Sequence, residues 1–211
     1  MSRPNEPSSP SSGSPIYAGL FADTLPVPAP ADRAKAPEWL RVLGAARPDA
    51  AAVAALVGDH DLDARVRAMA CTWLRRNGRT VASKELFGVI VEVALTEGLV
   101  VLAAYADGSV RHLDAHGNPT LVEPLPTLRA KVDALLAAGR AVVAQIGPFD
   151  GERLPPPAAG RIRLSFLVAD GLYFGEADAP AMSASDLGGP VVAAATELLR
   201  AVQELRADTA V

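Results

Sequence analysis

One run of residues limits the fold more than any other: Phe87 to Leu95, F-G-V-I-V-E-V-A-L. In an extended strand, alternate side chains share a face. Read this way, Phe87, Val89, Val91, Val93 and Leu95 form one apolar, mostly β-branched face, and Gly88, Ile90, Glu92 and Ala94 form the other. A strand apolar on both sides belongs inside a sheet. The sheet is expected to assemble on this strand, with Glu92 as its one costly residue.

The neighbouring segments supply further strands. Leu99 to Tyr105 is again apolar on both faces, and Asp107-Gly108 is a hairpin signal that returns the chain as Val110 to Leu113. His116-Gly117-Asn118-Pro119 reads as a turn cluster. Thr127 is placed to cap a helix with Leu128, Val132, Leu135 and Leu136 on one side, and Gly139 is its expected stop. Ala141 to Ile146, short and β-branched, then reads as a strand. Arg161 to Val168 alternates, with Ile162, Leu164, Phe166 and Val168 inward and Arg161, Arg163 and Ser165 outward. Asp170-Gly171 makes a second hairpin, into Leu172 to Ala177. A last helix begins near Gly188-Gly189-Pro190 and repeats Val191, Ala195, Leu198, Val202 and Leu205 along one seam.

Before the sheet, residues 37–78 read as three short helices. Pro37 precedes the first, Asp49 can cap the second, and Asp61 the third. Leu62, Val66, Met69 and Trp73 give the third a single apolar stripe, with Arg65, Arg75, Arg76 and Arg79 opposite. These helices form either a small appended bundle or a layer on the sheet. Residues 1–15, rich in Ser and Pro, bury too little to offset chain entropy. The short apolar patch Ile16 to Phe21 follows, and Pro26, Pro28 and Pro30 exclude a helix after it. The patch suits an arm lying on the domain or a linear motif for a partner.

The expected fold is therefore α+β: an antiparallel sheet of five to six strands with flanking helices. Three parts follow: a Pro/Ser-rich disordered arm over 1–36, a helical extension over 37–84 and the α+β domain over 85–211. The order βββ-α-βββ-α resembles profilin-like, roadblock-like or GAF-like domains in outline. The A-D-G hairpins at 106–108 and 169–171 also echo each other.

Composition narrows the function classes. With net charge −4 and pI about 5.4, the chain is a poor candidate for nucleic-acid binding. Its single cysteine, Cys71, excludes an internal disulfide and a cysteine-rich zinc site. The chain opens without the apolar core of a signal peptide, and no apolar run is long enough to span a membrane. A cytoplasmic protein is the expectation, with no nucleic acid and no membrane among its partners.

Few residues suggest chemistry. His112, Asp114 and His116 alternate, so a continuous strand would present two imidazoles and a carboxylate to a metal. His116, however, already opens a turn, and no further ligand lies near in sequence; no metal and no cofactor is expected. There is no G-x-S-x-G, and Cys71 lies near Arg67, Arg75 and Arg76 without an evident base. Gly188-Gly189-Pro190 opens a helix, but proline removes an amide that a phosphate would use. Glu92, Glu176 and Asp178 are carboxylates that a sheet could bring together. The arginine-rich third helix is more simply a solvated face than a phosphate contact. The loop 147–160 is the most individual segment. Pro155, Pro156 and Pro157 stiffen it, and Phe149 and Arg153 are residue types that anchor interfaces.

No catalytic residues are assigned. The favoured expectation is a non-enzymatic interaction or regulatory module that binds a protein partner or self-associates, with Phe149, Arg153, Glu92 and Arg163 as candidate contacts. The other is a small enzyme or ligand-binding domain with a site on the polar sheet face near Glu92, His112 and Arg163. Glu92 should pair with Arg163 if the two strands share a sheet, because a bare carboxylate among apolar neighbours is costly.

Overall fold

A computed structural model describes residues 15–23, 25 and 35–209 of the chain. The expectations for residues 1–14 and for Pro26, Pro28 and Pro30 lie outside the described residues. The strand-rich part of the sequence forms one antiparallel sheet, ordered β4-β3-β2-β1-β5-β6. Its strands are β1 (Leu86–Ala94), β2 (Leu99–Tyr105), β3 (Val110–Leu113), β4 (Pro119–Val122), β5 (Arg161–Val168) and β6 (Gly171–Asp178). β1 is central, between β2 and β5, as its apolar composition requires.

The helices are α1 (Pro15–Ala18), α2 (Glu38–Leu43), α3 (Ala50–Gly58), α4 (Ala64–Arg76), α5 (Pro126–Gln145), α6 (Ala179–Ala184) and α7 (Gly188–Thr209). The layout is α+β with flanking helices, and the strand total is six. The order differs from βββ-α-βββ-α, because four strands precede α5 and two follow it. Pro119–Val122 leaves the turn cluster as an extra edge strand, whereas 141–146 is no strand: 141–145 end α5 and Ile146 is its C-cap. Gly139 does not stop that helix. A Cβ there would stand 2.5 Å from Val89 Cγ2, so the glycine lets α5 press onto β1. α5 begins with Pro126 in its first turn and Leu125, not Thr127, at the cap. α4 is capped by Asp63 rather than Asp61, through the Arg65 amide.

The two faces of the sheet are covered differently. Leu86, Val89, Val91, Ile162, Leu164, Phe166 and Val168 pack under α5 and α7, against Val132, Leu135, Leu136, Leu198 and Val202. Phe87 is not among them. The β1–β5 register slips between Leu86 and Gly88, and this bulge turns Phe87 to the opposite face, beside Ile90 and Ala94. That second face is covered by α4 and by residues 15–23, which contribute Tyr17, Leu20, Phe21 and Ala22. Arg163 and Ser165 are therefore not outward: both are buried, because this face too has a lid.

α2, α3 and α4 share a small core of Leu43, Val53, Leu56, Val66, Ala70 and Leu74. α4 is buried on more sides than a single stripe. Arg67 is enclosed too, donating to the Val57 carbonyl and Glu85 with its guanidinium over Phe87. The two A-D-G hairpins play parallel roles. Ala106 and Ala169 donate their amides to Phe87 and Glu85 at the start of β1. Asp107 accepts from the Ala64 amide at the start of α4, and Asp170 from the Lys84 amide in the link between α4 and β1. Among the described residues no helix is long and apolar enough to cross a membrane.

Candidate functional site

The cross-strand register sets Glu92 of β1 directly opposite Arg163 of β5, and Arg163 opposite Glu176 of β6. Directly opposed residues share a face. One arginine thus lies in a row between two carboxylates, and it joins the outer one. Arg163 Nε and Nη2 donate to Glu176 Oε2 at 2.8 and 2.6 Å, while Nη1 donates to the Leu154 carbonyl at 3.1 Å. Arg161 Nε donates to the other Glu176 oxygen at 2.6 Å. The expected Glu92–Arg163 ion pair does not form. The guanidinium leans towards β6, 5.9 Å from the Phe174 ring, and a carboxylate already held by Arg161 awaits it there.

Glu92 is instead served by the segment above it. The Tyr17 hydroxyl donates to Glu92 Oε1 at 2.5 Å, and Oε2 has no partner. Glu92 is fully buried. Burial raises its carboxyl above the ordinary value, against the pull of Tyr17, Arg163 and Arg153. Burial also raises Glu176, but hydrogen bonds from Arg163 and Arg161 outweigh it and hold that carboxyl low. Tyr17, buried and facing Glu92, keeps its proton more firmly than a free phenol.

Residues 15–23 are fixed by side chains throughout. Tyr105 donates its hydroxyl to the Leu20 carbonyl at 2.8 Å, and Arg65 Nη1 donates to the Gly19 carbonyl at 3.1 Å. Arg153 stacks its guanidinium 4.0 Å above the Phe21 ring and pairs with Asp23, Nη2 to Oδ1 at 3.2 Å. Arg153 comes from the loop 147–160, which is pinned to the sheet. Phe149 bonds the Leu172 carbonyl at the β6 edge, Leu154 accepts from Arg163, and Gly160 bonds the Ala94 carbonyl. The Phe149 ring meets Phe174 edge-on at 5.0 Å yet stays 42 % exposed. Between this loop, α4 and the end of the segment lies an open groove of about 710 Å³, lined by Thr72, Arg75, Arg76, Phe149, Arg153 and Asp170.

The structure thus gathers Glu92, Arg163 and Arg153 around one segment, with Phe149 beside it. His112 is not among them. It faces Leu102, which packs in the α5 and α7 core, so it lies on the opposite side of the sheet from Glu92. Burial lowers its pKa. Asp114 is spent in its turn, accepting from the His116 and Asn118 amides and from Asn118 Nδ2. Among the described residues no three His, Cys, Asp or Glu side chains come together as a metal site would need. Cys71 is buried and its thiol is pushed up to about 11, chiefly by burial and then by Glu85, the reverse of an activated nucleophile.

Sequence reasoning placed Ile16 to Phe21 as an arm but missed what Tyr17 meets. A tyrosine and a glutamate 75 positions apart carry no shared pattern. No family model, no curated protein and no solved structure matches the chain. The outline likeness to profilin-like, roadblock-like and GAF-like domains gains no support from these comparisons.

Proposed function

We propose that this protein is a non-enzymatic interaction module of the cytoplasm, with the Glu92 face and the adjoining groove as its contact surface. One observation carries the reading: a stretch of the chain, residues 15–23, lies on the sheet as a peptide lies on a receptor. Its tyrosine meets a buried acceptor, and its phenylalanine and acid meet one arginine. Phe149 and Arg153 add an exposed aromatic ring and a cation at the rim, types that anchor interfaces. The enzyme or ligand-binding alternative would gather Glu92, His112 and Arg163 at one site. Its support is thinner, because His112 faces the other side and Glu92 does not line the groove beside Phe149.

Photocrosslinking in cells tests the reading. A photoreactive side chain replacing Phe149 should yield a discrete protein adduct, and one replacing exposed Arg129 on α5 should not. The partner so identified, a second copy of the chain included, should bind the purified protein and lose affinity on Arg153→Glu. Equal adducts at both positions, or none, would remove the reading.

A further inference from the structure

The segment 15–23 covers its part of the sheet with one short helical turn rather than a long helix or a strand. Among the described residues, its backbone–backbone hydrogen bonds are internal: Gly19 to Pro15, Leu20 to Tyr17 and Phe21 to Ala18. It adds no strand to the sheet and no long helix to the layer. Among the described residues, each hydrogen bond or ion pair that ties it to the rest of the fold passes through a side chain on at least one partner. The receiving groups sit on elements that hold their places without it: Glu92 on β1, Tyr105 on β2, Arg65 on α4 and Arg153 on a loop pinned to β5 and β6. An attachment of this kind opens locally at lower cost than a strand of the ladder.

The buried carboxylate fits an occupant that leaves. Glu92 Oε2 has no partner while the segment is docked, and Arg163 is committed to Glu176. Undocking would return Glu92 to water, which solvates a carboxylate well, so the empty face carries no orphaned charge. The groove provides the approach, because Phe21, Ala22 and Asp23 form part of its wall and the end of the segment borders open space.

Resting on the interaction-module reading, we infer that the face around Glu92 is a peptide-binding site that residues 15–23 occupy in cis. Its ligand in trans is a segment of a partner protein with the pattern Tyr-x-x-Leu-Phe-x-Asp. The tyrosine hydroxyl is read by Glu92, the leucine fills the place of Leu20, and the phenylalanine and the acid are read together by Arg153. Held in cis, residues 15–23 act as an internal competitor. A tethered segment works at an effective concentration of order millimolar, so only a partner brought close or present in excess displaces it.

The test uses the full chain with a protease site placed between Pro26 and Ala34, cut after folding. A labelled peptide with the sequence of residues 14–24 is titrated by fluorescence anisotropy, before cutting and after the freed segment is removed. The cut chain should bind it saturably and the uncut chain at least about tenfold more weakly. A peptide with Tyr17→Phe should bind about tenfold more weakly than the parent, the worth of a hydrogen bond to a charged group. A cut chain that keeps its segment through dilution and takes up no labelled peptide would overturn the inference. Equal affinity for the Tyr and Phe peptides would overturn the role of Glu92.

Thiol labelling of the uncut chain keeps the test decisive if the cut chain unfolds. In Leu20→Cys, the thiol at position 20 should react at a rate insensitive to low denaturant, while buried Cys71 stays silent. Reaction of both only on global unfolding would overturn the inference. A dimer that grows with concentration by exchanging segments would make a second copy the ligand and overturn the partner-protein assignment. Failure here with the Phe149 adduct intact removes the exchange and leaves the module reading standing.

Discussion

The two faces of this sheet are built from the same strands and closed by opposite means. Under α5 and α7 the contacts are mainly apolar, with His112 as a buried polar residue at the β3 end, and the helices reach the sheet closely enough to require a glycine at 139. Under α4 and residues 15–23 the contacts include Glu92, Arg163 and Ser165, all buried, and the lid over Glu92 is a short segment. The first face has the character of a permanent core. The second combines apolar contact with buried polar groups, and two of its side chains, Glu92 and Tyr105, bond the segment that lies on them, as a binding surface does. A chain can close a sheet with something it also releases, provided the other face alone carries the fold.

That contrast can be broken most severely at Val91, which faces α5 and α7. Val91→Asp would place an unpaired carboxylate in that core at a cost of several kcal/mol, against a total stability of roughly 5–15 kcal/mol. No cooperative unfolding transition should remain, and a soluble, cooperatively melting variant would show that the α5 face does not carry the fold. A gentler cut on the same side is Leu135→Ala, which should lower the free energy of global unfolding by about 2–5 kcal/mol in urea melts.

Leu20→Ala removes an equally buried leucine from the other face. It should cost less in the same melts, because the loss is capped by the free energy that docks the segment. Equal losses for the two alanine variants would erase the contrast.

The carboxylates sharpen it through pH. The folded state raises the Glu92 carboxyl above its ordinary value of 4.5, so it binds that proton more tightly than the unfolded chain does. Stability from this group is complete below that value and is lost as pH rises through the raised one. Glu176 has the opposite sign: its contribution is present above the ordinary value and is lost as pH falls through the lowered one. Urea melts across pH should therefore show Glu92→Gln gaining on the wild type as pH rises above about 4.5, and Glu176→Gln losing ground as pH rises towards about 4.5 from below. Parallel profiles would mean that Glu92 titrates as an exposed side chain. The smallest effect belongs to Arg200→Ala, which breaks an exposed i,i+3 pair with Glu197 on α7 and should stay within about 0.5 kcal/mol.

The sequence reveals the α5 face more fully than the other, and the reason is periodicity. Ile162, Leu164, Phe166 and Val168 alternate, and Leu128, Val132 and Leu135 recur at helical spacing, so both halves of that core can be read locally. Misreadings on this side came from backbone detail. A glycine that serves close packing looks like a helix stop at 139, and a bulge at Gly88 reverses Phe87 without a sequence mark. The other face is closed by residues with no period. Arg163 reads as outward because alternation reports which side a residue faces, not whether that side is covered. The strand register brought Glu92 and Arg163 opposite each other as expected, but which carboxylate Arg163 joins depends on Arg161 and Tyr17.

Native-state hydrogen exchange, read residue by residue in low denaturant, compares the two faces in one experiment. The amides of Gly19, Leu20 and Phe21 should exchange through an opening of lower free energy than those of β1, with little dependence on denaturant. The amides of Val89 and Val91 should exchange only with global unfolding. A common free energy and a common denaturant slope for both sets would make residues 15–23 an inseparable part of the core, and the account of a displaceable occupant would fail.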